Sequence, residues 1–121
     1  MESEESSMVN EHTGGTDHVG DVVGMLRTLS DPTRLRLLAL LQEGEYSVTA
    51  LCDALQLAQP TVSHHLGRLR TAKLVANRRA GKQVFYSLNG DLVSTGDEPS
   101  VLSIESGSLE LRICPTTNNG A

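Results

Sequence analysis

The stretch YSVTALCDALQLAQPTVSHHLGRLRTA, residues 46–72, decides the fold. Ser47 is placed to cap a helix, and Val48, Leu51, Cys52 and Leu55 follow at i, i+3, i+4 and i+7, one buried stripe. LQLAQ, residues 55–59, reads as a short turn. Pro60 then opens a second helix running to about Ala72. At about 100° per residue, Val62, Leu66 and Leu69 fall in one narrow sector of this second helix. The opposite sector centres on His64, Gly67 and Thr71, flanked by Thr61 and Arg68 on one side and by Ser63 and Arg70 on the other. Two short helices joined by a tight turn, the second polar and basic outside, form the helix-turn-helix pattern.

The outward face offers hydroxyls, an imidazole and guanidinium groups, and no carboxylate. Such groups suit phosphates and base edges in a DNA major groove. Gln59 stands at the helix N-terminus, where a recognition helix meets bases. Gly67 leaves room in the middle of the face for close approach. The adjacent His64 and His65 look like a metal pair, but neighbours at i and i+1 point to different faces and cannot share one ion. His64 belongs to the outward face with Arg68 one turn on. His65 lies beside the apolar stripe as a partly buried, hydrogen-bonded packing residue. The competing reading of the whole face is an ordinary solvated helix surface.

The flanks complete a domain. SDPTRLRLLALLQEGE, residues 30–45, is a helix with Asp31 as cap, Pro32 in its first position and Gly44 as its stop. Leu35, Leu37, Leu38, Leu40 and Leu41 surround it, which predicts a central, buried helix. Before it, Val19, Val22, Leu26 and Leu29 recur at helical spacing behind Asp17 as cap, with Gly20 and Gly24 weakening the segment. After it, Val75, Asn77, Val84, Tyr86 and Leu88 alternate on either side of RRAGK. This predicts a β-hairpin with its turn at Ala80-Gly81 and with Arg78, Arg79 and Lys82 near its tip. NGDLVSTGDEPS reads as a loop. VLSIESGSLELRI, residues 101–113, alternates like a second hairpin, with Leu102, Ile104, Leu109, Leu111 and Ile113 on one face. The fold class is therefore α+β, mainly α: a winged helix-turn-helix with a hairpin wing and an extra C-terminal hairpin. Residues 1–16 are expected to be a disordered acidic tail, 17–90 the DNA-binding domain, and 91–121 a loop, hairpin and tail.

Charge supports this division. The chain has 121 residues and a net charge of −5, which by itself argues against nucleic acid. Yet residues 33–90 hold eight basic residues against three acids, and no acid occurs from residue 54 to 90, where six Lys and Arg stand. The rest holds two basic residues and twelve acids. A one-sign block within an acidic chain is the footprint of a polyanion partner. The acidic start excludes a signal or transit peptide, and no apolar run has the length of a membrane span, so the expectation is a soluble, cytoplasmic protein. No nucleophile–base pair, phosphate-cradling Gly loop or metal-ligand spacing is present, which argues against an enzyme.

In LSDPTRLRLLALLQEGE (29–45), AQPTVSHHLGRLRTAKLV (58–75) and RRAGKQVFYSL (78–88), the chain resembles the ArsR/SmtB family of winged helix-turn-helix repressors. The family patterns DPTRLRIL, SQPTVSxHLxxLxxAGLV and RxGRxVYYSL recur in order and spacing over about residues 19–88. The resemblance implies a homodimer on a palindromic DNA operator, with the Pro60 helix in the major groove and the wing on flanking backbone or minor groove. An inducer, usually a metal ion, would weaken binding. The DNA contacts that carry over are Gln59, Thr61, Ser63 and His64, with Arg68 a weaker transfer and Arg78, Arg79 and Lys82 on the wing. A winged-helix protein–protein interaction module without an operator is the alternative.

The family's sensors do not carry over. Where its arsenic, cadmium and lead sensors have ELCVCDL, this chain has EYSVTAL, with Ser47 and Thr49 in place of thiols. The zinc sensors use Asp and His of a C-terminal helix, but no His follows His65 here and the C-terminal segment alternates like strands. No cofactor is therefore expected, the inducer is left open, and dimerisation is assigned to the helix near Val19 to Leu29 with the C-terminal hairpin. Cys52 reads as a buried apolar residue and Cys114 as an exposed thiol after a strand. His12, Asp17 and His18 are a weaker alternative for a metal site across a dimer.

Overall fold

The computed structural model describes residues 18–94, 102–106 and 109–114. Helices α1 (His18–Leu29), α2 (Pro32–Leu41), α3 (Val48–Leu55) and α4 (Gln59–Thr71) alternate with strands β1 (Tyr46–Ser47), β2 (Val75–Ala80), β3 (Gln83–Leu88), β4 (Val93–Ser94), β5 (Leu102–Ser106) and β6 (Leu109–Ile113). The tail at 1–16, the Asp17 cap, His12, and the loop residues 95–100 lie outside the described residues.

Each helix end has a local cause. The Asp31 carboxylate accepts the backbone N–H groups of Thr33 (2.8 Å) and Arg34 (3.2 Å), and Pro32 follows in the first turn of α2. Ser47 Oγ caps α3 by accepting the Ala50 N–H. Helix α3 stops because Gln56 turns left-handed (φ 58°), letting the Leu57 N–H reach the Cys52 carbonyl at 3.2 Å. Lys73 (φ 66°) ends α4 in the same way, with the Leu74 N–H on the Leu69 carbonyl at 3.0 Å. Helix α4 starts at Gln59, one residue earlier than the sequence suggests, with Pro60 inside its first turn.

One core joins all elements. Leu37, Leu38 and Leu41 of α2, Leu51 of α3, Val62, Leu66 and Leu69 of α4, and Leu74, Val75 and Tyr86 of the wing root are buried together. Burying a leucine fully stabilises the fold by roughly 1.5–3 kcal/mol, so this cluster fixes how α4 sits. Helix α2 is central but not apolar all round in the expected sense, because Leu35 remains exposed. Helix α1 differs more. Met25 and Leu29 enter the core, whereas Val19 is 70% exposed and Leu26 51% exposed. Its apolar arc is wider than the core uses. Cys52 is half-buried against the core and Cys114 is exposed.

Two antiparallel sheets frame the helices. The wing pairs β2 with β3 from Val75↔Leu88 to Ala80↔Gln83. Its turn is therefore Gly81-Lys82 in place of the expected Ala80-Gly81, and Gly81 supplies the positive φ of 64°. Strand β1 adds a third member through Tyr46↔Tyr86 and Ser47↔Phe85, too short to show as a period in the sequence. The second sheet, in order β4-β5-β6, contains the expected C-terminal hairpin plus a strand within the segment read as a loop. Asn89 launches it: its side chain donates to the Lys73 carbonyl (2.8 Å), and its own carbonyl accepts the Val93 N–H (2.9 Å). Leu102 and Ile104 face the core, and β5 packs against α1.

Candidate nucleic-acid interface

Helix α4 divides as its sequence predicts. Val62, Leu66 and Leu69 are fully buried, while Gln59, Thr61, Ser63, His64, Arg68, Arg70 and Thr71 are all exposed. The face therefore presents amide, hydroxyl, imidazole and guanidinium groups on a rigid helix whose opposite side is locked in the core. A Cβ built at Gly67 would meet nothing within 4 Å. The chain's own packing does not require glycine there, and the space opens outward.

His65 takes the expected packing role and adds a tether. Its side chain is 15% exposed, and its Nδ1 lies 3.2 Å from Arg34 Nη1 and 3.9 Å from the Asp31 carboxylate. Arg34 Nε also donates to the Thr28 carbonyl at 2.6 Å. One guanidinium thus joins the end of α1, the start of α2 and the inner edge of α4. Arg34 can only donate, so His65 Nδ1 is the acceptor in this contact. Desolvation raises the Asp31 pKa, but the N–H bonds from Arg34 and Thr33 and the nearby Arg34 charge outweigh it, leaving the carboxyl below its ordinary value. The His64 and His65 rings meet edge-on, 5.3 Å between centroids, with His64 facing outward. Among the described residues no three His, Cys, Asp or Glu side chains converge on a common point.

The wing separates its three basic residues. Arg79 and Lys82 are exposed, with no side-chain hydrogen bond or ion pair among the described residues. Arg78 is engaged within the chain. Its Nε donates to Glu45 Oε2 (2.7 Å), its Nη2 donates to Glu45 Oε1 (2.8 Å), and its guanidinium lies 4.8 Å from the Phe85 ring centroid. The pair is bidentate and stacked, the strong geometry for arginine. Hydrogen bonding from Arg78 holds the Glu45 carboxyl below its ordinary value, and Glu45 in turn raises Arg78. The equal treatment of Arg78 with Arg79 and Lys82 is thus refined: Arg78 fixes the wing to the segment before β1, and the other two point free. Sequence reasoning missed Glu45 because it lies 33 residues from Arg78, outside the acid-free run.

A winged helix-turn-helix with a carboxylate-free reading helix defines a DNA-binding class of fold. The comparisons agree. Residues 31–77 match the family described as bacterial regulatory protein, arsR family. The chain is 47% identical over 68 residues to a biofilm growth-associated repressor of Xylella fastidiosa, covering 56% of this chain and 60% of that protein. It is also similar to the crystal structure of the transcriptional repressor BigR from Xylella fastidiosa, at 46% identity and TM-score 0.55, over 58% of this chain and 71% of that one. A third likeness is to the homodimeric winged helix-turn-helix DNA-binding domain of a possible ArsR-family regulator from Mycobacterium bovis (26% identity, TM-score 0.57, 75% of this chain and 76% of that one). The chain belongs to the ArsR family of bacterial regulatory proteins. Its match spans about 60% of the length of the first curated relatives.

Proposed function

We propose that this chain is a sequence-specific, double-stranded-DNA-binding transcriptional regulator, a homodimeric repressor that acts in the cytoplasm on a palindromic operator and is released by an inducer. The observation that carries the reading is the α4 face, where Gln59, Thr61, Ser63, His64 and Arg68 are all exposed over a fully buried opposite stripe. Such a helix in the major groove reads bases, while Arg79 and Lys82 on the wing hold phosphate. The reading assigns no reaction and no resident metal, since Ser47 and Thr49 stand where the related sensors have thiols.

The dimer reading rests on α1. Val19, Val23 and Leu26 form an exposed apolar stripe beside the buried Met25 and Leu29, and the solved Mycobacterium bovis relative is described as homodimeric. A second copy of this chain is the assigned occupant. Sedimentation of wild type and of Leu26→Glu tests it: the wild type runs as a dimer and the variant as a folded monomer. A dimeric variant would remove α1 from the interface. For the DNA reading, a gel shift on duplexes from upstream of the gene is compared with random duplex. Binding at least about a thousandfold tighter to one upstream segment is expected. Equal affinity for both would leave only a winged-helix interaction module.

A further inference from the structure

Arg27 in the last turn of α1, Arg34 in the first turn of α2, and Arg68 on α4 meet around a pocket of about 270 Å3, which among the described residues is lined otherwise by Thr28 alone. Among the described residues no carboxylate lines this pocket. Two acids lie nearby without lining it: Asp31 accepts the α2 N-terminal N–H groups and acts on Arg34 through its charge, and Asp21 lines the neighbouring groove, which Thr28 and Arg68 also line. Arg27 and Arg68 have no side-chain hydrogen bond or ion pair among the described residues. The Thr28 hydroxyl proton is donated to the Gly24 carbonyl, so the available donors are guanidinium N–H groups.

Three guanidiniums at one pocket repel one another unless an anion joins them. Arg34 is already oriented, since Nε is held by the Thr28 carbonyl and Nη1 by His65, and a guanidinium with five N–H donors keeps three for a ligand. A planar fork presenting paired donors matches the oxygens of phosphate-type anions better than those of a single-atom anion. We propose that Arg27, Arg34 and Arg68 form a phosphoryl-oxyanion site at the junction of α1, α2 and α4. Its occupant is either a DNA backbone phosphate or a free phosphate-type anion. The first source rests on the DNA-binding reading above, and the second does not. Because Arg68 also belongs to the outward face of α4, an anion held here links the start of the helical domain to the reading helix.

The test uses the full chain, its Arg27→Gln variant, and Arg36→Gln as a control on an exposed arginine outside the pocket. The Arg27 side chain makes no hydrogen bond among the described residues, and melting curves of all three proteins verify their folding. Inorganic phosphate is titrated against chloride at constant ionic strength, with arginine Nε–H resonances as readout. In parallel, duplex affinity is measured against salt. Saturable phosphate binding that Arg27→Gln weakens at least tenfold, and Arg36→Gln leaves intact, assigns the site to a free anion. If no phosphate saturation occurs but Arg27→Gln alone shallows the logarithmic salt slope by about 0.9 per half-site, the site holds DNA phosphate. If Arg27→Gln changes neither reading, or Arg36→Gln changes them equally, the proposal is overturned. Phosphate binding by a chain that binds no specific duplex would leave the pocket standing and overturn the operator reading instead.

Discussion

The wing offers the sharpest quantitative prediction, because its three cations differ in the structure. Arg78 has two charge-assisted bonds to Glu45 and a face on Phe85, while Arg79 and Lys82 have no such partners among the described residues. Each phosphate contact contributes about 0.9 to the slope of log affinity against log salt on duplex DNA. In a dimer with two wings, Arg79→Ala removes two contacts, so the slope becomes shallower by about 1.8. Between 50 and 200 mM salt, the fall in affinity then shrinks by roughly tenfold relative to wild type. Arg78→Ala leaves the slope nearly unchanged, since that guanidinium is neutralised within the chain. Glu45→Gln frees Arg78 and steepens the slope. Fluorescence anisotropy on one labelled duplex across a salt series measures all three. An equal flattening by Arg78→Ala and Arg79→Ala would show that Arg78 leaves Glu45 for phosphate and would refute the reasoning. An unchanged slope in Arg79→Ala would place the wing off the DNA altogether.

Further outcomes follow from single positions. Gly67→Ala replaces the poorest non-proline helix former where a methyl meets nothing within 4 Å, so the fold gains about 1 kcal/mol while DNA affinity falls. Denaturant melts and duplex titration read the two effects, and unaltered affinity would deny close approach at that residue. Lys73 sits in the left-handed region, so Lys73→Gly relieves backbone strain and stabilises by about 1 kcal/mol, whereas a lowered melting temperature would contradict the strain. The Glu45 carboxyl titrates below its ordinary 4.5, so its pairing with Arg78 is fully present above that value and is lost as pH falls through the lowered one. The stability difference between wild type and Glu45→Gln is therefore expected at neutral pH and vanishes in acid. A difference that persists unchanged in acid would mean that the pair does not cause it.

The reading helix was legible because its signal is local. Val62, Leu66 and Leu69 lie within two turns, so their period states which side is buried, and His64 and His65 separate by the same geometry. Caps at Asp31 and Ser47 were legible for the same reason. What the sequence hid depends on tertiary neighbours. The Glu45–Arg78 pair needs β1 beside β3 and β3 beside β2 to bring the two side chains together. The Arg27–Arg34–Arg68 pocket draws one residue from each of three helices, and no spacing along the chain encodes it. Strand β4 has two residues, too few for a period, and Asn89 places it by hydrogen bonds. The apolar positions of α1 gave a helix correctly but not which of them the core takes, because the choice between Met25 and Leu26 is made by α2 and β5.

The central claim is that the exposed side chains of α4 read base sequence. Selecting bound duplexes from a random pool with wild type and with His64→Ala tests it most directly. Wild type is expected to enrich a two-fold symmetric motif with half-site centres about 10 base pairs apart, and His64→Ala to change the preferred base within each half-site while the spacing stays. A pool that wild type leaves unenriched, or a motif identical in the variant, would contradict it.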